Sequence, residues 1–141
     1  MIPPKLQDHL DTLALLPDRH DRIEALIALA DEYQARSMPD VPRDLQHRVP
    51  ACESEVYMRA VPEGQSLKFE FAVDNPQGMS AMALARILED SLSGVALDQV
   101  AQVSDEIVYE IFGRELSMGK SAGLMGMVQM VRGEAKRGLG V

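Results

Sequence analysis

The sequence predicts an α+β fold: an N-terminal helical hairpin, a small antiparallel β-sheet, then C-terminal helices packed on one of its faces. Three observations predict it. Apolar residues recur at helical spacing from Leu6 to Tyr33; the period changes to two between Val56 and Asp74; and helical spacing returns from Met79 onward. With 141 residues, 46% of them hydrophobic, the chain is long enough for one domain, 1–141, that buries a core without disulfide or metal support.

Pro3-Pro4 opens the first helix, in which Leu6, Leu10, Leu13 and Leu16 recur until Pro17 stops it. Asp18 caps a second, which aligns Ile23, Leu26, Ile27, Ala30 and Tyr33 on one apolar face. The short connection makes the pair an αα-hairpin. From Arg36 to Pro50 the periodicity collapses around Pro39, Pro42 and Pro50, which reads as an irregular loop delivering the chain to Cys52. Beyond it Val56, Met58 and Ala60 alternate with Glu55, Tyr57 and Arg59 up to a Pro62-Glu63-Gly64 turn. Leu67, Phe69, Phe71 and Val73 then alternate with Lys68, Glu70 and Asp74, the clearest strand signal in the chain. A hairpin with one apolar face needs a cover, and the flanking helices supply it.

The turn-rich Asp74-Asn75-Pro76-Gln77-Gly78 introduces a helix bearing Met79, Met82, Ala83, Ala85, Ile87 and Leu88 and closed by Gly94. A short helix at Leu97–Val100 is followed by one capped at Ser104, with Ile107, Val108, Ile111 and Phe112 inward and Gly113 after it. The last helix is expected from near Ser121 through Leu124, Met127, Val128 and Val131. Arg132, Lys136 and Arg137 lie towards its C-terminal end, where the helix dipole favours them, and Gly138-Leu139-Gly140 frays. Met118, Met125, Met127 and Met130 crowd into this region and read as core in preference to a docking face.

Composition excludes several functions. A net charge of -8 repels a phosphate backbone, so nucleic acid is not an expected partner. The chain has no apolar run long enough to span a bilayer and no signal-peptide core at its start, which points to a soluble protein of the cytoplasm with no membrane partner. A lone cysteine makes no internal disulfide, no cysteine-only zinc site and no iron–sulfur cluster within one chain. His9, His20 and His47 form no pair at metal-ligand spacing. Gly119-Lys120-Ser121 looks like the end of a P-loop, but Arg114 stands where that motif needs glycine and a helix precedes it where a strand should. It reads as a capping turn in which Lys120 makes an electropositive corner. Asp105-Glu106 and Glu89-Asp90 read as helix-dipole partners and solvated faces.

Cys52 is the residue best suited to chemistry. It lies where a proline-containing loop meets a strand, a junction that offers access on a rigid support. His47 and Arg48 would favour its thiolate, whereas Glu53 and Glu55 would oppose it. On residue type alone the alternative is a small buried hydrophobe. A cysteine hydrolase would need one of the three histidines brought to the thiol by tertiary contact. Asp74 could be a catalytic carboxylate, but at a strand end before Asn-Pro such a residue is more often a turn or N-cap former.

The run Arg48-Val49-Pro50-Ala51-Cys52-Glu53-Ser54-Glu55-Val56 resembles the R-V-x-G-C-x-S-x-V/W signature of the SufE/CsdE family of sulfur acceptors. The resemblance extends through Leu13-Ala14-Leu15-Leu16-Pro17-Asp18-Arg19 and Leu92-Ser93-Gly94 to Ser117-Met118-Gly119-Lys120-Ser121-Ala122-Gly123-Leu124, nearly the whole chain in the family's order. It implies a fold similar to the IscU scaffold, with Cys52 at the tip of a surface loop. It further implies that Cys52 accepts persulfide sulfur from a cysteine desulfurase of the SufS type, stimulates its turnover and relays sulfur to an iron–sulfur scaffold or another acceptor. The chain itself would then need no cofactor, and pyridoxal phosphate would belong to the desulfurase. The competing expectation is a non-catalytic interaction module in which the thiol is incidental. His47, Arg48, Asp74 and Lys120 are the candidate thiolate stabilisers or partner contacts. Two positions depart from the family pattern: Ala51 stands where glycine is usual, which makes a left-handed turn costlier, and Lys120 where arginine is common, which loses a bidentate fork.

Overall fold

A computed structural model describes residues 2–141 of the protein. In chain order its elements are α1 (Pro4–Ala14), α2 (Arg19–Ala35), β1 (Val56–Glu63), β2 (Ser66–Val73), α3 (Met79–Leu92), α4 (Leu97–Val100), α5 (Ile107–Phe112) and α6 (Met118–Leu139). The α+β expectation therefore holds. The sheet is a two-stranded antiparallel hairpin in register from Val56 opposite Val73 to Glu63 opposite Ser66.

The centre of the molecule is α3. Ala81, Met82, Ala83, Leu84, Ala85, Ile87, Leu88 and Leu92 are all buried, so this helix is apolar over more than one face and has to be surrounded. α1, α2, β2 and α6 all pack on it. Phe69, Phe71 and Met58 bring the inner face of the sheet into the same core, together with Leu124, Met127, Val128 and Val131 of α6. The outer face is not wholly wet: Tyr57 and Ala72 are buried there beneath Val41, which the irregular loop lays across them.

Several local expectations are corrected. β1 continues through Pro62 to Glu63, and the reversal is the two-residue loop Gly64-Gln65, with Gly64 at φ +63°. Ladder hydrogen bonds alternate in an antiparallel pair, so proline fits where its missing N–H is not required. α6 starts at Met118, because the Ser117 hydroxyl accepts the Lys120 N–H. It runs to Leu139 without fraying, and Gly140 at φ +80° caps its end. On α2 only Ala30 and Tyr33 of the expected stripe are buried, while Ile23 and Ile27 are 43% exposed. Its N-terminal half borders an open cleft against Met79, Phe112 and Leu116 instead of a packed helix. Of the clustered methionines Met127 is fully buried, and Met118 is exposed.

Among the described residues no third strand pairs with the outer edge of β2, and side chains meet its N–H groups. Phe69 N–H donates to Ser93 Oγ at 3.1 Å, Phe71 N–H to Glu89 Oε2 at 2.7 Å and Val73 N–H to the Tyr33 hydroxyl at 3.1 Å. The Tyr33 hydroxyl donates in turn to Phe71 O at 2.7 Å. Arg36 closes the group, pairing with Glu89 at 2.7 Å and lying 4.3 Å from the Tyr33 ring centroid. Helices α2 and α3 thus cover a strand edge that would otherwise be open to another chain.

Candidate functional site

The sequence from Pro50 to Glu55 forms a loop tied at both ends. Arg48 bridges antiparallel to Tyr57, with Val49 N–H donating to Val56 O and Met58 N–H to His47 O, both at 2.8 Å. Asp74 N–H donates to Glu55 O at 3.1 Å and joins the loop to the end of β2. To turn within six residues the loop places Ala51 at φ +60° and Glu55 at φ +50°. Ala51 thus occupies the left-handed region where the family pattern has glycine, at a cost of roughly 1 kcal/mol.

Cys52 sits at the tip of this loop but faces inward. It is 8% exposed, contacts the main core, and forms one wall of a pocket of about 240 Å³ whose other lining includes Ser54, Ser80, Ser117, Lys120 and Gly123. Burial pushes its thiol up from the ordinary value; the Ser54 N–H, Arg48 and the Val56 N–H pull the other way, and Glu53 adds to the rise. Desolvation wins, so the resting group is the neutral thiol.

The four candidate partners separate. Lys120, in the first turn of α6, lines the Cys52 pocket with an exposed side chain. Arg48 is half-buried at the foot of the loop and favours the thiolate through its charge. His47 is turned to Asp44: its Nδ1 lies 2.7 Å from Oδ1, and its N–H donates to the same oxygen at 2.9 Å. The Asp74 carboxylate meets the Arg43 guanidinium in a two-point pair at 2.8 and 2.9 Å, and Arg43 lies 5.4 Å from the Tyr57 ring centroid. Asp74 therefore straps the irregular loop to the sheet through its side chain, and its backbone N–H holds the end of the Cys52 loop.

The other histidines are equally distant in role, with His9 2.9 Å from Asp90 and His20 3.1 Å from Glu24. No histidine is among the described residues that line the Cys52 pocket, where a hydrolase would place its base. No helix among the described residues is long and apolar enough to cross a membrane.

Sequence reading missed the floor of the site. The loop backbone rests directly on α6 at Gly123 and Gly126, and Ser54 rests on Gly78. The signal was present as glycines three residues apart inside a helix that has no use for their flexibility, a pattern that marks close approach of another backbone.

Comparison with known proteins adds the family. No curated protein matches the chain. The solution structure of a hypothetical protein from Thermus thermophilus is similar over the whole of both chains, with a TM-score of 0.74 at 22% identity, a likeness of fold. The family model "SufE: Fe-S metabolism associated domain" matches residues 7–135. That match covers the tied loop, Cys52 and the α6 floor alike, and the chain belongs to the SufE family, a family associated with iron–sulfur metabolism.

Proposed function

We propose that the protein is a sulfur carrier. Cys52 takes sulfane sulfur from the persulfide of a pyridoxal-phosphate-dependent cysteine desulfurase of the SufS type, stimulates that enzyme by clearing its persulfide, and passes the sulfur to an iron–sulfur scaffold or another acceptor in the cytoplasm. The observation that carries this reading is the chain's sole thiol at the tip of a tied loop, opening on a pocket with a lysine, in a SufE-family chain.

The chemistry is one thiol exchange run twice. Cys52 gives up its proton to solvent, and its thiolate attacks the outer sulfur of the desulfurase persulfide. A new S–S bond forms at Cys52, the donor's S–S bond breaks, and the donor cysteine leaves as thiolate, with no net oxidation. An acceptor thiolate then attacks the outer sulfur on Cys52, which leaves as thiolate. Lys120 offers the positive charge that favours an anionic sulfur in the pocket, and Arg48 favours the Cys52 thiolate. The raised resting thiol is a poor nucleophile and a poor target for oxidants, so the site is quiet until a partner changes its surroundings. The chain needs no cofactor for either step, since pyridoxal phosphate acts in the partner.

The test is intact mass spectrometry after incubation with the desulfurase and free cysteine. Wild type gains one sulfur atom, which reductant removes; Cys52→Ser gains none and stimulates nothing. A Cys52→Ser protein that stimulates as wild type does would overturn the reading. Burial of Cys52 favours a second reading, an interaction module whose thiol is incidental. That reading predicts no sulfur gain on wild type beside an active desulfurase.

A further inference from the structure

The contact between the Cys52 loop and α6 is made by backbone on backbone. A Cβ placed on Gly123 would lie 3.0 Å from Cys52 Cα, 3.1 Å from Ala51 O and 3.4 Å from Cys52 Cβ. One placed on Gly126 would lie 2.9 Å from Pro50 O and 3.1 Å from Val49 Cγ1. These neighbours are mostly main chain, so no side-chain rotation relieves the overlap. The loop's ends are held by Val49 and Val56, and its interior is already strained at Ala51 and Glu55, so its tip has little room to adjust in place. By contrast, Gly133, on the same helix, has nothing within 4 Å of its Cβ position.

We propose that Gly123 is a positioning residue for the sulfur-carrying thiol: the missing side chain at this point of α6 sets the depth at which Cys52 rests, and any Cβ there lifts the loop tip and uncovers the thiol. The inference deepens the functional reading above and rests on it for its consequence, because a lifted tip presents Cys52 without waiting for a partner. The charged groups facing the thiol are Arg48 and Glu53 on the loop and Lys120 on α6, and none of them is altered by a change at Gly123.

The experiment uses iodoacetamide and no desulfurase, so that its failure is distinct from failure of the sulfur-carrier reading. Native alkylation of Cys52 is followed by intact mass across a pH series in wild type, Gly123→Ala and Gly133→Ala. Gly123→Ala is expected to react about tenfold faster at neutral pH, the scale of an overpacking penalty relieved by movement of the loop. The midpoint of its pH profile moves down toward that of an ordinary thiol, a change that mere loss of stability in a folded protein does not produce. Gly133→Ala keeps the wild-type rate and profile. A folded Gly123→Ala protein with the wild-type rate or the wild-type midpoint overturns the proposal. Should Gly123→Ala not fold alone, it is measured in an Ala51→Gly background, which relieves strain in the loop. Failure of that double variant to fold would mean that the glycine specifies the fold and not the thiol's depth, and would also overturn the proposal.

Discussion

The outer edge of β2 and the Cys52 loop set backbone against a helical layer at opposite sides of the sheet hairpin, and they do so by different means. At the edge, Ser93, Glu89 and Tyr33 reach out to strand N–H groups, and Arg36 neutralises the carboxylate among them. At the loop, the backbone settles directly on glycines of α6, with backbone hydrogen bonds to the sheet at its base. The first arrangement fixes one geometry through directional bonds that are expensive to break. The second fixes depth by steric fit and leaves the tip held mainly by packing. The contrast also bears on where function is read. Burial pushes the Glu89 carboxyl up to about 7, against the pull of the Phe71 N–H and Arg36, yet Glu89 belongs to the structural edge. A perturbed pKa marks desolvation, and Glu89 lies outside the lining of the Cys52 pocket.

The largest expected effect falls on the loop. Cys52→Ser should lose sulfur acceptance completely, as read by intact mass, while its thermal unfolding stays within about 1 kcal/mol of wild type. A large loss of stability would show that the thiol is a core residue first. Next comes the edge: Glu89→Ala leaves Arg36 and the Phe71 N–H without their partner and should cost about 3 kcal/mol in denaturant unfolding. Sulfur acceptance per folded molecule should not change in this variant, and a selective loss of acceptance would erase the division between the two regions.

A pH effect of intermediate size follows from the same carboxyl. Because the folded-state pKa of Glu89 is raised, its contribution to stability is fully present below the unfolded value and is lost as pH rises through about 7. Chemical denaturation between pH 5 and 8 should therefore show wild type losing on the order of 1–3 kcal/mol, with Glu89→Gln much flatter. Asp44 and Asp90, whose pKa values are lowered by His47 and His9 respectively, act in the opposite sense and at acidic pH, outside this window. The smallest effect is at Ala51, where glycine adopts the left-handed conformation without strain; Ala51→Gly should stabilise the protein by up to about 1 kcal/mol in the same denaturation experiment.

Much of this was legible from residue order. The period-two run from Leu67 to Val73 located β2, and the apolar density of Met79 to Leu88 located the helix that became the centre of the molecule. The signature around Cys52 identified the loop that carries the thiol. The errors lie where a residue type permits two outcomes. Pro62 stood for a turn, yet it lies within β1; Ile23 and Ile27 stood for a buried face, yet they border an open cleft. His47 and Asp74, the candidates beside Cys52 in the chain and at the neighbouring strand end, are a different case: the structure pairs them with Asp44 and Arg43, partners the sequence reading did not name. Sequence alone does not decide which partner a charged side chain takes, because an opposite charge within 2.7 to 2.9 Å makes a strong, directional hydrogen bond whose geometry the fold sets.

The sequence by itself determined the fold class, the order of elements, the family and the identity of the one thiol, since these depend on periodicity, turn chemistry and a local motif. Tertiary structure alone decided that Cys52 faces inward, that its thiol is raised by burial, that Lys120 shares its pocket and that Gly123 lies beneath it. Those properties arise from the approach of segments some seventy residues apart, from Cys52 to Gly123, and an approach that leaves a Cβ on Gly123 only 3.0 Å from Cys52 Cα is set by how the whole core packs.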